Sequence, residues 1–529
     1  MKKIPVFTRD ATGLIRDITP TDALFSGVVT IGLISVFLFY TYQLAGFPND
    51  NPLTAVAIMT IPFIATAGVW TLLAASFPRS GGDYVFNTRV LHPTIGIMTD
   101  FLVVSSLPFN FPFYTISAVT MISDLLLIEG ALTQNSSLQS LGHALLVPNT
   151  QFVVLTILLI LTTFFLAGRI RFYFKTQAIL NIIAIAVCVG LVGLLAVTPN
   201  SAYQSLYSSF YNVDYNSVIQ SAQTNGLAFA GWGAIPSLTG VSALIFYLTI
   251  NWPAFVAGEM KNSQRSLFYS FVVAEVVMIA FFLVIGAVAF NTFGVNFTVA
   301  SAYLANSGKS PIPASSYTIF IELAAPLLSS PIAIAVVFIS IAVAGWFTAT
   351  MGLIGASRKI FAWSFDRLLP SKFSDVSPRF KTPIYAAIII SIITETYVIL
   401  SFYGPGIYTI VSGLGVIYTA LYVGVAALSG IILPMRKEIF DQCPPIARKK
   451  IGPVPLVSLL GVVSFVTIIG VLMIGQVIPA IQGGLNPSQA AWTFGLFIAG
   501  IPFYYLVKWY RRTHDGLDIA LVYKQIPPE

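Results

Sequence analysis

The sequence predicts an all-α integral membrane protein with twelve transmembrane helices. Of its 529 residues, 56% are apolar and only 9% are charged, whereas soluble domains carry about 25% charged residues. A soluble fold of this length would need far more polar residues to cover its surface. The apolar residues also form near-continuous runs of the length that crosses a bilayer, about 20 residues. These runs lack the alternation of apolar and polar residues that the strands of a membrane barrel show.

Twelve apolar runs are taken as membrane spans. Residues 1–22, which precede the first run, are too polar for a signal peptide, so the first run is expected to be a permanent anchor. The predicted spans are 23–47, 53–77, 94–128, 151–168, 176–198, 236–258, 267–292, 331–356, 383–402, 405–434, 453–480 and 490–507.

The basic residues support this count and orient the chain. With twelve spans, every Lys and Arg except Lys309 falls in a segment on the same side of the membrane. Because basic residues mark cytoplasmic segments, both termini (1–22 and 508–529) are expected to be cytoplasmic, in a multi-pass protein of the plasma membrane. The net charge of +7 then reflects membrane topology, and no nucleic-acid partner is expected.

The sequence lacks the motifs of several other classes of membrane protein. There is no GxxxxGK[ST] phosphate-binding loop, no TVGYG-like ion filter and no periodic Arg-rich voltage sensor. Two cysteines and three scattered histidines do not form a disulfide scaffold or a metal site. No catalytic cluster is present, so we expect no enzyme activity and no cofactor other than a possible coupling ion, H⁺ or Na⁺. A secondary transporter is the class that remains.

Helix-breaking residues interrupt two spans. Gly27 and Gly32 lie within the first span, and Asn251 and Pro253 lie within the sixth. Paired interruptions at equivalent positions of two halves are the best sequence indication of a transporter binding site. The alternative is that these residues have no special role, since Gly and Pro are frequent in transmembrane helices.

Three groups of motifs resemble those of amino acid permeases of the amino acid–polyamine–organocation (APC) superfamily. Residues 77–86 (FPRSGGDYVF) resemble the "PRSGGEYVY" signature after the second helix. Residues 258–262 (GEMKN) resemble "EEVKNP" at the end of the sixth helix. Residues 357–362 (SRKIFA), 366–370 (DRLLP) and 378–383 (PRFKTP) resemble successive parts of "SRxLYAMARDGxLPxxF…HPRxxTP". The resemblance covers roughly the first 430 residues and fades over the last two spans.

This resemblance implies a leucine-transporter-like fold and a transport function. Two inverted five-helix repeats (23–198 and 236–434) would be followed by two further helices within 453–507. The implied function is secondary active transport of amino acids, with polyamines or other organic amines as an alternative. A non-transporting amino acid sensor is an alternative of a different class. The expected partners are the substrate and the lipid bilayer, and the sequence leaves a partner subunit undetermined.

A broken helix offers unpaired main-chain groups that suit a zwitterion. The first helix would run outward, so amides near Thr30, Ile31 and Gly32 are expected to receive the substrate carboxylate. The sixth would run inward, so carbonyls at the end of its outer half are expected to receive the ammonium group. The resemblance implies substrate recognition at the same two stretches. The predicted substrate-binding residues are Val29, Thr30, Ile31, Gly32, Phe246, Tyr247, Leu248, Thr249 and Asn251.

Carboxylates inside the spans are candidates for ion coupling. Asp100, Asp124, Glu275 and Glu395 lie in spans that contain no Lys, Arg or His, so no fixed basic partner is expected. Such groups must be protonated, hydrogen-bonded as neutral carboxyls, or matched by a mobile cation. Asp124 lies near the outer end of its span and is expected to be hydrated. The predicted coupling residues are Asp100, Glu275 and Glu395, with Thr348 and Thr350 as sodium ligands unless they bond back to their own helix.

Charged residues near the cytoplasmic ends of the second and sixth spans are candidates for an inner gate. Their ion pairs would exchange as the transporter changes conformation. The alternative is a solvated cluster that faces lipid headgroups. The predicted gating residues are Arg79, Asp83, Trp252, Glu259 and Lys261.

Overall fold

The computed structural model describes residues 7–8, 11–229, 231–232, 238–314, 318–328, 330–404, 406–408, 415–472 and 487–528. The chain is an all-α protein, as predicted. The sheet in these ranges is a short antiparallel pair of β1 (Lys450–Ile451) and β2 (Val454–Pro455).

The described helices range from 4 residues, as in Ile319–Glu322, to 35 residues in Pro331–Phe365. In chain order they are α1 Pro20–Ile31, α2 Leu33–Gly46, α3 Pro52–Ser76, α4 Asp83–Val90, α5 Pro93–Ser106, α6 Asn110–Leu132, α7 Ser136–Leu146, α8 Pro148–Ala167, α9 Ile170–Val197, α10 Asn200–Tyr211, α11 Tyr215–Thr224, α12 Leu238–Tyr247, α13 Ser263–Phe268, α14 Ala274–Phe293, α15 Val295–Asn306, α16 Ile319–Glu322, α17 Pro331–Phe365, α18 Ile384–Tyr403, α19 Gly415–Ile432, α20 Lys437–Phe440, α21 Leu456–Leu472 and α22 Pro487–His514. Tighter 3₁₀ turns span Leu107–Phe109, Trp252–Glu259, Ala325–Leu327, Ser371–Ser374, Leu433–Met435 and Ile519–Lys524, and a π-helical turn spans Tyr269–Val273.

Ten helical segments in the described ranges are long and apolar enough to cross a membrane. They coincide with ten of the twelve predicted spans. The sixth predicted span is divided between α12 and the 3₁₀ turn Trp252–Glu259, and the described part of the eleventh coincides with the shorter α21. Residues 236–237, 405, 409–414 and 473–480 of the sixth, tenth and eleventh predicted spans lie outside the described residues. The count of twelve and the inverted repeat therefore stay predictions.

Several helices begin at the signals that their sequences carry. Thr19 forms a capping box with Asp22: its hydroxyl accepts from the Asp22 amide at 3.2 Å, and the Asp22 carboxylate accepts from the Thr19 amide at 3.0 Å. Asn51 caps α3 and Ser330 caps α17 with their side-chain oxygens. In all three cases a proline follows the cap, where its missing amide hydrogen costs nothing.

Burial separates a central group of helices from a peripheral one. The α1–α2 and α5–α6 segments are largely buried, whereas α8, α9 and α22 bury about a third of their residues or less. Peripheral helices expose large apolar side chains, among them Phe164, Phe172 and Leu506. A soluble protein would not expose so many, and lipid is the solvent that accepts them.

Both described ends of the chain lie on one side of the molecule. The Thr8 hydroxyl donates to the Phe365 carbonyl at 2.9 Å, and Arg79 Nε donates to the Pro527 carbonyl at 2.7 Å. Arg79 and neighbouring Lys and Arg residues that the sequence predicts to be cytoplasmic lie on this side. We call it the basic face.

Gly27 lets α1 pack directly on the π-helical turn. A Cβ atom at Gly27 would lie 2.0 Å from the Ser270 carbonyl oxygen and 2.6 Å from the Ala274 Cβ. Because the first of these neighbours is main chain, it cannot rotate away as a side chain could. The glycine therefore sets the distance between the first and seventh spans.

We expect Gly27→Ala to lower the melting temperature of the purified protein, because overpacking of this kind costs about 1–3 kcal/mol. Gly190→Ala is the matched control: Gly190 lies in α9, and a Cβ atom there would have no neighbour within 4 Å among the described residues. Alanine also favours a helix by up to about 1 kcal/mol relative to glycine. Thermal unfolding in detergent measures both variants. Equal melting temperatures for the two would contradict this account of the packing.

Candidate functional site

The first span breaks at a single residue, Gly32. Its φ of +80° ends α1 and lets α2 begin at Leu33, a conformation that glycine adopts without strain. A Cβ atom there would lie 2.4 Å from Thr348 Oγ1 of α17. Both the backbone angle and the nearby helix therefore require glycine at this position.

In the structure, the free amides of the break belong to the outer half-helix, α2. The Gly32 amide already donates to the Val28 carbonyl at 2.8 Å, and Thr30 and Ile31 belong to the last turn of α1. The amides without a preceding helical turn are those at the start of α2, Leu33 and Ile34. The structure thus confirms an interruption of the helix at Gly32, and substrate binding by the amides near it stays a prediction.

The sixth span breaks over a longer stretch. α12 ends at Tyr247, and its last turn closes with the Leu248 amide donating to the Leu244 carbonyl at 2.8 Å. Thr249 to Asn251 are not helical, and the chain then continues as the 3₁₀ turn Trp252–Glu259 with Pro253 near its start. The predicted carbonyls of Phe246, Tyr247 and Leu248 thus lie at the C-terminal end of α12, where no following turn uses them.

The two breaks lie within about one turn of each other along α17, since Gly32 faces Thr348 and the Trp252 ring faces Gly352. The outer halves α2 and α12 pack together, and the rings of Phe39 and Tyr247 meet edge-on with centroids 6.0 Å apart. The inner halves also pack together: α1 contacts the turn Trp252–Glu259, and the Lys261 amide donates to the Ile18 carbonyl at 2.8 Å. The main-chain ends of both spans therefore face a common region.

Polar side chains from two other helices reach this region. Asn251 Nδ2 donates to the Tyr422 hydroxyl, and Asn110 Nδ2 lies 3.4 Å from the Tyr418 hydroxyl. The Tyr418 and Tyr422 rings stack at 5.7 Å. Sequence reasoning missed Asn110 and both tyrosines, although an asparagine inside an apolar span was a visible signal.

Two polar atoms at the sixth-span break are buried and have no partner among the described residues. They are Asn251 Oδ1 and Thr249 Oγ1, in side chains that are 2% and 7% exposed. A buried polar atom left unpaired costs about 1–3 kcal/mol. Such atoms are expected where a ligand or water completes the hydrogen bonding.

Glu275 is the ionisable group at the break. It is 1% exposed, and its carboxylate accepts a hydrogen bond from the Ile250 amide. Its Oε1 has no partner among the described residues. The sequence placed Glu275 near mid-span, and the structure adds that it meets the unwound stretch of the sixth span.

The other predicted ion-coupling residues are dispersed. Thr348 faces Gly32, and its hydroxyl donates to the Ala344 carbonyl at 3.0 Å. Thr350 lies 3.3 Å from the Thr162 hydroxyl, on the side of α17 that faces α8. Glu395 is half-buried between α18 and α8 and accepts from Thr156 at 2.9 Å. Of these, only Thr348 lies beside the break.

The expectation that Asp100 has no basic partner is wrong. α17 extends to Phe365 instead of ending at 356, and it carries Lys359 into the interior. Lys359 Nζ donates to Asp100 Oδ1 and, at 2.5 Å, to Asp83 Oδ1. Trp363 Nε1 donates to the other Asp100 oxygen. We call Asp83, Lys359 and Asp100 the buried triad.

A second buried ion pair lies beside the triad. Arg358 donates to both carboxylate oxygens of Glu259, at 2.9 and 3.2 Å, and neither side chain is more than 1% exposed. Glu259 and Asp83 are therefore not the solvated cluster of the alternative interpretation. Lys261 does fit that interpretation, because it is 48% exposed and lies 3.5 Å from Asp17.

The remaining predicted gating residues have other neighbours. Trp252 is buried with its ring against Gly352 of α17, where a Cβ would lie 3.3 Å from the ring. Arg79 is half-buried and bonds to the main chain of Pro527. The Trp252 contact holds the sixth-span turn against α17, and the Arg79 contact holds the C-terminal segment on the basic face.

The C-terminal segment is part of this face, which the sequence did not indicate. Arg89 pairs with Asp366 at 2.8 Å, and Arg89 Nε donates to the Gln525 carbonyl at 3.3 Å. Tyr523 is buried, with its hydroxyl 3.2 Å from that of Tyr84. Burial raises the pKa of Asp366, and Arg89 opposes that rise.

A further acidic pair lies on the opposite side of the molecule. Asp124, which was expected to be hydrated, is 3% exposed, and Glu322 is fully buried. The Thr318 hydroxyl lies 2.7 Å from Glu322 Oε1 and 3.2 Å from Asp124 Oδ2. Burial, and then the Asp124 charge, raise the pKa of Glu322 well above its usual range. Residues that follow the third span in sequence pack over Asp124 and shield it from solvent. Hydropathy alone does not predict this packing.

Comparison with known families decides the class of the molecule. A family model described as amino acid permease matches residues 22–498 of the chain. The chain belongs to the amino acid permease family. The match confirms the APC resemblance and extends beyond residue 430, where the sequence motifs fade. The chain is therefore a multi-pass membrane protein of a transporter family.

One similar protein comes from an archaeal virus. The permease is 22% identical over 373 residues to "Uncharacterized protein 399" of Sulfolobus islandicus rod-shaped virus 1, an alignment that covers 70% of each chain. The name of this relative states no activity, so it adds no substrate.

We expect Arg358→Met to destabilise the permease by about 3–5 kcal/mol, because it leaves the Glu259 charge buried and unpaired. Lys261→Met should change stability by less than about 1 kcal/mol, since its pair with Asp17 is exposed to solvent. Melting temperatures of the two variants test this contrast. Adding Glu259→Gln to Arg358→Met should restore most of the loss. A double variant as unstable as Arg358→Met alone would show that the ion pair is not the cause.

Proposed function

We propose that this permease is a secondary active transporter that moves amino acids across the plasma membrane by alternating access. The observation that carries the proposal is the pair of neighbouring breaks in the first and sixth spans. The first break exposes amides at the N-terminus of α2, and the sixth-span break exposes carbonyls at the C-terminus of α12. Neither set is bonded within a helical turn, and the two helix ends carry partial charges of opposite sign. A small zwitterion matches both poles at once.

The substrate carboxylate is proposed to bind at the start of α2. The amides of Leu33 and Ile34 point toward the break, and a helix N-terminus carries about half a positive charge. No Lys or Arg is then needed for the carboxylate.

The substrate ammonium group is proposed to bind at the end of α12. The carbonyls of Phe246, Tyr247 and Leu248 form a helix C-terminus, which carries about half a negative charge. Thr249 and Asn251 supply the unpaired oxygen atoms beside it. Amino acid selection by the side chain would then involve the aromatic rings and amides that approach from α6 and α19.

Glu275 gives the site a carboxyl group that could pair with a cationic substrate, and it supports an alternative substrate class. An organic amine or polyamine has ammonium groups and no carboxylate, so it would use the free Glu275 oxygen and leave the α2 amides hydrated. An amino acid uses both poles. We favour amino acids because the free amides of α2 suit a carboxylate, which an organic amine lacks.

Transport also requires gates and an energy source. We propose that the basic face is cytoplasmic, and that Glu259–Arg358 and the buried triad hold the inner side closed. Opening must separate α17 from the turn Trp252–Glu259, because Arg358 and Glu259 lie on these two elements. Coupling would use a proton or sodium gradient, or exchange of one substrate for another, with Glu275 and Thr348 as the residues nearest the break.

Counterflow in proteoliposomes tests the transport proposal. Vesicles loaded with unlabelled amino acids should accumulate labelled amino acid from outside, and the rate should saturate. A sensor would bind without exchange, and a channel would give flux without saturation. Either result would contradict the proposal.

We expect Gly32→Leu to abolish saturable binding, because its side chain would strike Thr348 and displace the α2 amides. Tyr247→Ala should weaken substrate binding at least tenfold, since the ring packs where the outer halves meet. Gly190→Ala, on the lipid-facing α9, is the control and should bind as the unaltered protein does. Affinity from thermal-shift titration with an amino acid panel measures all three. Unchanged affinity in both site variants would place the substrate elsewhere.

Glu275→Gln separates the two substrate classes. If amino acids are the substrate, the main-chain poles remain and affinity should fall by about tenfold or less. If an organic amine is the substrate, loss of the carboxyl group that would pair with its ammonium group should remove most of the affinity. Titration with leucine, arginine and putrescine distinguishes the two outcomes.

A further inference from the structure

The buried triad has one positive group for two negative groups. Asp83 comes from α4, Asp100 from α5 and Lys359 from α17, and all three side chains are fully buried. The neighbouring pairs Glu259–Arg358 and Arg89–Asp366 each balance one charge with one opposite charge. Among these three clusters of the basic face, the triad is therefore the one with an excess carboxylate.

An uncompensated charge at this depth is costly. Moving an ion from water into a protein interior costs several kcal/mol even after relaxation, and such a group usually takes up or loses a proton instead. Lys359 is already bonded to both carboxylates, so it cannot neutralise a second charge. Asp83 Oδ2 is buried without a partner among the described residues. A bound proton would neutralise the excess charge.

The surroundings of the triad support a proton over a metal ion. The Lys359 ammonium fills the space between the two carboxylates, where a cation would otherwise bind, and the ring of Phe255 covers it at 4.3 Å. The indole of Trp363 donates to Asp100. Burial raises the pKa of Asp83, and the charge of Lys359 together with hydrogen bonds from the Asp83 and Tyr84 amides opposes that rise.

The triad is also connected to the sixth-span break. The Tyr422 hydroxyl of α19 accepts from Asn251, and α19 packs against α4, which begins at Asp83. The groups that face the triad are thus Phe255 from the 3₁₀ turn, Trp363 from α17 and Tyr422 from α19. The charges that act on Lys359 are Asp100 and Asp83.

We propose that the buried triad binds one exchangeable proton and is the proton-coupling site of the permease. This inference rests on the proposed transport function. With the proton bound, the triad is neutral and the closed basic face is stable. When that face opens, water reaches the carboxylates, favours their charged forms and releases the proton. The face closes again once a proton has returned to the triad and removed the excess charge.

Infrared difference spectroscopy of the purified full-length permease tests the proton directly. The carbonyl stretch of a protonated carboxyl should contain a component that disappears as pH is raised. Asp83→Asn and Asp100→Asn should each remove that component, because each leaves one carboxylate for one ammonium. Asp515→Asn, whose carboxylate pairs with Arg511 near the surface, is the control and should keep it.

Other buried acids do not confuse this test. Glu275 and the Asp124–Glu322 pair lie apart from the triad, and their signals should persist in both triad variants. An unchanged pH-difference spectrum in either Asp83→Asn or Asp100→Asn would overturn the proposal, because the triad component is the part of the signal that these variants should lose. So would the absence of a pH-sensitive component from the unaltered protein.

Stability separates a charge effect from a folding defect. The single variants should melt close to the unaltered protein, since each removes the excess charge. The double variant Asp83→Asn/Asp100→Asn leaves Lys359 buried and unpaired, and it should melt well below both. A double variant as stable as the single ones would refute the charge-balance argument.

Transport assays then test coupling. In the unaltered protein, the uptake rate should change by about tenfold per pH unit on one side of the midpoint of its pH dependence, as expected for the binding of a single proton. Asp83→Asn and Asp100→Asn should lose a much larger fraction of the accumulation driven by a proton gradient than of the counterflow rate. Gradient-driven accumulation at the unaltered level in either variant would contradict the coupling role. If counterflow is absent from the unaltered protein, the transport proposal fails, and the infrared result still judges the proton site.

Discussion

The close approach of α17 to Gly32 is the constraint on which the rest of the structure depends. No side chain fits between the first span and Thr348, and the main chain turns out of its helix at that point. The turn leaves amides at the start of α2 without partners. The same helix then continues past the membrane centre and brings Arg358 and Lys359 under the sixth-span turn. One long helix therefore both shapes the break and supplies the cations of the basic face.

Buried charges on that face cost more than apolar side chains of the same size would. These charges restrict the arrangements that the neighbouring helices can adopt. Glu259 and Arg358 tolerate burial only while they touch, so the sixth span and α17 have two permitted arrangements, in contact or hydrated. A transporter needs two such discrete states. An apolar contact would instead tolerate a range of intermediate arrangements.

Much of this architecture follows from hydropathy, since long apolar runs and the distribution of Lys and Arg predict twelve spans, and the described residues contain ten helices long and apolar enough to match them. Gly32 and Pro253 indicate the breaks because their backbone chemistry acts locally. Lys359 was missed because hydropathy shows where an apolar run stops, but it does not show whether the helix enters water or protein beyond that point. Asn110, Tyr418 and Tyr422 meet only through the tertiary fold, and the burial of Asp124 depends on segments distant in sequence.

The contacts of the C-terminal segment have a consequence for how this chain can vary. Its main-chain carbonyls at Gln525 and Pro527 receive the guanidinium groups of Arg89 and Arg79, and Tyr523 lies against Tyr84. Any motion that parts Arg89 from Asp366 must also disturb its bond to the Gln525 carbonyl. The path of the segment is thus tied to the packing of charged helix ends, so a substitution there would be felt beneath the helices and not only at the surface.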